Sequence, residues 1–167
     1  MNNQEQQKIQ AEIEFKKKQF INEVSLVSQI LGVEVDFYMR TNEKGHIIPY
    51  MHLGVIEKLN EEKKKEYIEV INANRIAWMK MLGFQDTAIE PKEWSDRHIT
   101  KEILESDPEV SFMKVLDMVE REYQMTMKPV VVGSQDGIVG SYDIIEKTFA
   151  PSESVEKTIA NNEKSEV

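Results

Sequence analysis

At 167 residues, with 40% apolar and 31% charged side chains, the chain has room for one domain with tails but not for two full ones. The absence of cysteine removes disulfide frameworks, thiolate zinc sites, iron–sulfur clusters and cysteine nucleophiles. A formal net charge of −9 repels nucleic-acid phosphates over long range and so disfavours nucleic acid as a partner.

The polar opening MNNQEQQKIQ lacks the apolar core of a signal peptide, and no apolar run approaches the roughly 20 residues that cross a bilayer. A cytoplasmic protein without a membrane partner is the expectation. From residue 4 to 31, Ile9, Ile13, Phe20, Val24, Val27 and Leu31 recur at helical spacing, and Gly32 is placed to end the helix. Residues 1–8 are rich in Gln and Asn and are expected to fray. Phe15, Ile21 and Leu26 lie off the main stripe, which suits a helix that meets neighbours on more than one side. The triplets Lys16–Lys18 and Lys63–Lys65 fan around their helices beside glutamates and read as solvated faces.

At Val33 the period changes to two: Val33, Val35, Phe37 and Met39 alternate with Glu34, Asp36, Tyr38 and Arg40, the pattern of a half-buried strand. The turn cluster TNEKG and the return strand HIIPYMHL complete a predicted β-hairpin over about 33–53. Pro49 cannot donate to a ladder, so this strand belongs on an edge, where a second copy of the chain could pair with it. His46 and His52 share a face but stand roughly 20 Å apart along an extended strand, too far to hold one metal ion. They read as exposed imidazoles.

Asn60 then caps a second helix through Leu82, with Glu61 and Glu62 at its start, Lys80 near its end and Gly83 beyond it. Its predicted buried face runs through Ile68, Ile71, Trp78 and Leu82, widened by Tyr67, Ile76, Met79 and Met81. Residues 84–98 read as an ordered connection, and ITKEILES as a short helix. Asp107 as cap with Pro108 at the first helical position marks a third long helix, expected to bury Phe112, Val115, Leu116, Val119 and Tyr123 and to end near Met125. A small C-terminal hairpin is expected over about 130–139, turning at SQDG. The fold class is therefore α+β, α-dominated: three long helices, a short helix and an edge hairpin in one globular domain over 1–150, with an acidic disordered tail over 151–167.

Local constellations carry little chemistry. Glu93, Ser95, Asp96, Arg97 and His98 are adjacent in sequence, and adjacent residues do not face one another in a helix or strand, so capping is their better reading. GSQDGIVG lacks phosphate-loop spacing and any following Gly-Lys-Ser or Gly-Lys-Thr, and implies a turn rather than a cofactor. Catalytic residues, metal ligands and cofactors are accordingly not expected.

The compositional oddity is methionine, nine in the chain, with Met79, Met81, Met113, Met118, Met125 and Met127 concentrated in and after the later helices. Flexible thioethers fill irregular cores and also suit adaptable binding surfaces. These features point to a non-enzymatic intracellular protein–protein interaction module: an adaptor, assembly chaperone or inhibitor. The expected contact residues are Tyr38, Tyr50, Trp94, Met118, Met125 and Met127. A nucleic-acid-associated regulator is the alternative, and a small histidine/carboxylate enzyme a weaker one. Usage of Lys, Glu, Ile and Asn fits an AT-rich bacterial or phage origin.

Overall fold

The computed structural model describes residues 2–92 and 99–149. Among these, the chain forms α1 (Asn3–Leu31), β1 (Val33–Thr41), β2 (Ile47–Val55), α2 (Glu61–Met81), α3 (Lys101–Glu105), α4 (Pro108–Tyr123), β3 (Met125–Ser134) and β4 (Gly137–Glu146). The architecture is α+β with helix dominant, and each sheet is a two-stranded antiparallel hairpin. The expected domain limit and the tail beyond residue 150 lie outside the described residues, as does the 93–98 cluster.

Local chemistry sets the element ends. Asn2 and Glu5 form a reciprocal capping box, so α1 begins at Asn3 with its first turn capped. Gly32 ends α1 in the left-handed conformation at φ 70°. Asn60 accepts the Lys63 N–H at 2.8 Å to start α2, and Asp107 accepts the Glu109 and Val110 N–H groups to start α4 with Pro108 behind it.

The main core joins Phe20, Val24, Val27 and Leu31 of α1 to Phe112, Val115, Leu116 and Val119 of α4, closed by Val33 and Met125. Val35, Met51 and Leu53 from the first hairpin and Met127 and Ile144 from the second pack around it. On its other side α1 sets Leu26 and Ile30 against Ile71 of α2, which accounts for the off-stripe Leu26. The face expected for α2 is covered only in part: among the described residues of the helix Ile71 alone is fully buried, Tyr67, Ile68, Ile76, Trp78 and Met79 are half-buried, and Met81 is 68% exposed.

The two hairpins cross closely. A Cβ at Gly140 on β4 would lie 2.5 Å from the Phe37 carbonyl oxygen on β1, so only glycine permits this approach of backbones. Beside it the Phe37 and Tyr142 rings meet at 4.9 Å. The second hairpin is twice the expected length. Gln124 adopts φ 53° and ends α4 two residues early, which turns Met125 into the first residue of a strand.

Candidate functional site

The outward face of the first hairpin follows from its register. Tyr38 lies opposite Tyr50, Asp36 opposite His52 and Arg40 opposite Ile48, while Val35, Phe37, Met51 and Leu53 point to the other side. Ring centroids are 6.2 Å apart for Tyr38 and Tyr50 and 5.4 Å for Tyr38 and His52. The Arg40 guanidinium lies 5.6 Å from the centre of the Tyr50 ring. These are cross-strand and diagonal neighbours, the pairings through which side chains on a sheet support one another. The result is an aromatic plate with Tyr38 46% exposed.

The other expected contact residues do not join it. Met118 is exposed on the outer side of α4, which packs against the opposite face of the hairpin. Met125 is completely buried in the core and is corrected from contact residue to packing residue: its strand position, not a helical one, aims it inward. Met127 is half-buried against the same core and lines a cleft between α1 and the hairpins. Trp94 lies outside the described residues.

His46 sits at the turn and His52 in the middle of β2. Among the described residues no group of three His, Asp or Glu side chains could hold a metal ion. His98 and its neighbours fall outside those residues.

A polar cluster built around the buried Glu23, not anticipated from the sequence, links α1, α4 and the connection after α2. The Lys92 ammonium donates to Glu23 at 2.7 Å, to Glu122 at 3.2 Å and to the Tyr123 hydroxyl at 3.2 Å. Glu23 is only 3% exposed. Asn72 holds the Lys92 backbone through two hydrogen bonds, and Arg75 donates to the Glu90 carbonyl at 2.6 Å, so α2 positions the lysine. The available signal was Glu23 itself, a carboxylate set between Phe20 and Val27 on the buried stripe of α1. Nearby on α1, the buried Gln19 Nε2 has no hydrogen-bond partner among the described residues.

Two expectations follow from this cluster. Lys92→Met leaves the Glu23 carboxylate buried without its cation. Losing one partner of a fully buried pair costs roughly 3–5 kcal/mol. Water reaches Lys92, whose side chain is 26% exposed, so about 2–3 kcal/mol is expected in urea unfolding.

The second concerns alkali. Burial, then the adjacent Glu23 charge and its hydrogen bond, raise the Tyr123 phenol well above its ordinary pKa of 10.0. Below that value both folded and unfolded states keep the proton and the stability is fully present. Above it the unfolded chain ionises first, so stability falls by up to about 1.4 kcal/mol per pH unit. Urea unfolding at about pH 9 and about pH 11 should show Tyr123→Phe losing less stability than the wild type. An equal loss in both removes the assignment.

Comparison with family models, with curated proteins and with solved structures returns no match.

Proposed function

We propose that this chain is a non-enzymatic protein–protein interaction module, an adaptor, assembly chaperone or inhibitor, whose contact surface is the aromatic plate of the first hairpin. The observation that carries this reading is the outward grouping of Tyr38, Tyr50 and His52 with Arg40 on one face. Tyrosine and arginine dominate the energetics of protein interfaces because they offer large contact areas with few torsions to freeze. Glu34 and Asp36 lie on the same face and oppose a phosphate backbone, which favours a protein over a nucleic acid.

The test combines native mass measurement of the purified chain, before and after incubation with lysate of its source, with identification of what co-elutes. A protein partner at fixed stoichiometry is expected. Tyr38→Ser with Tyr50→Ser should weaken it by about 2 kcal/mol or more, roughly 30-fold in Kd, with the fold retained by circular dichroism. A partner indifferent to the double variant would overturn the surface. Salt-sensitive binding of single-stranded nucleic acid, with no protein partner, would overturn the class.

A further inference from the structure

β4 pairs only with β3 among the described strands, so no described strand lies along its second edge. A groove of about 720 Å³ runs along that edge. Five consecutive residues, Ser141–Ile145, line it, and consecutive strand residues point to opposite faces; a depression touched by all five therefore follows the backbone edge. Glu14, Lys17, Lys18 and Ile21 of α1 form its other wall.

We propose that this groove receives β4 of a second copy, which joins the two second hairpins into one antiparallel four-stranded sheet. The strand is complementary to itself about a two-fold axis beside Tyr142. In that register Ile145 of each copy faces Val139 of the other, and Asp143 faces Ser141. Ile145 and Val139 are 40% and 45% exposed, apolar side chains on the same face of the hairpin that the isolated chain leaves in water. A register centred on Asp143 would set two carboxylates directly opposite each other, whereas this one offsets them to diagonal positions. Glu14, 3.8 Å from Lys17, and the resident Asp143 offset the two lysines, so the groove is close to neutral and admits the single carboxylate of an incoming strand although each copy is acidic overall. Pairing satisfies backbone groups that an open edge leaves to water and closes a template for uncontrolled association. This inference does not depend on what binds the aromatic plate.

The register is tested by charge exchange in the full-length chain, read by sedimentation equilibrium. Wild type should populate a dimer. Val139→Lys with Ile145→Lys, and separately Val139→Glu with Ile145→Glu, should each weaken it by about 10-fold or more. Mixing the two variants should restore a heterodimer, because every lysine then faces a glutamate. Both positions are partly exposed, so circular dichroism should report an unchanged fold. Tyr38→Ser with Tyr50→Ser should leave the dimer intact. A wild type that stays monomeric at high concentration, or a dimer unaffected by the lysine variant, overturns the proposal. So does a mixture that fails to reassociate when both variants are folded.

Discussion

Phe20→Ala should destabilise the protein by about 3–5 kcal/mol, the largest effect expected of any single substitution considered. The ring is wholly inaccessible to solvent, and the Tyr123 ring meets it edge-on, with centroids 5.9 Å apart and planes at 74°. Truncation removes the apolar transfer energy of the ring and leaves a void where α1 meets α4. It also removes a neighbour of the Tyr123 phenol that sits in the polar cluster, so packing and hydrogen bonding are disturbed together. Urea unfolding of Phe20→Ala beside Ile9→Ala provides the contrast. Ile9 is 45% exposed on the same helix, and its truncation should cost less than about 0.5 kcal/mol. Comparable losses at both positions would mean that the core is not where α1 meets α4.

Gly32→Ala should cost about 2–4 kcal/mol, through two separable causes. At φ 70° any side chain carries the left-handed penalty of roughly 1–2 kcal/mol. A Cβ there would also lie 2.6 Å from the Ile56 carbonyl oxygen and 2.8 Å from Lys58 Cγ, and the first of these is backbone with little freedom to yield. The close approach is fixed by the chain leaving β2, whose Ile56 N–H donates to the Gly32 carbonyl at 2.8 Å. Gly45→Ala separates the two terms. Gly45 has φ 79°, and a Cβ added there would meet nothing within 4 Å, so only the conformational penalty applies. Thermal melting should therefore rank wild type above Gly45→Ala and Gly45→Ala above Gly32→Ala. Equal losses for the two glycines would show that the crossing after β2 is looser than the geometry implies.

Much of this fold is legible from local chemistry. Asn60, the Asp107–Pro108 pair and Gly32 each act through backbone groups within a few residues, so their roles survive without knowledge of tertiary structure. The first hairpin is equally plain, because its alternation and turn residues agree. The second is harder to read. Met125, Met127 and Pro129 carry weak strand signals, and the strand starts there only because Gln124 takes a left-handed conformation that its own side chain supports by donating to the Arg121 carbonyl. Periodicity places the apolar face of α2 but overstates its burial, since most of that face is half-buried among the described residues. Of the candidate site, the Tyr38–Tyr50 pair follows from strand register, whereas the positions of Met118 and Met125 depend on where α4 ends and what packs on it. The Lys92 cluster draws on α1, α2, α4 and a connection, and no local pattern brings those four together.

The partnership of α1 with α4 sets the timing of folding during synthesis. Phe20 emerges from the ribosome roughly 90 residues before Phe112, which at about 5–20 residues per second is roughly 5–20 s of elongation. Throughout that interval the Phe20–Leu31 stripe has neither α4 nor Met125 to cover it. The first hairpin and α2 can form locally, but the core closes only when the last third of the chain arrives. Closure across so long a loop is entropically costly and slow, so the nascent chain spends those seconds with its most apolar surface open to chaperones and to other nascent chains.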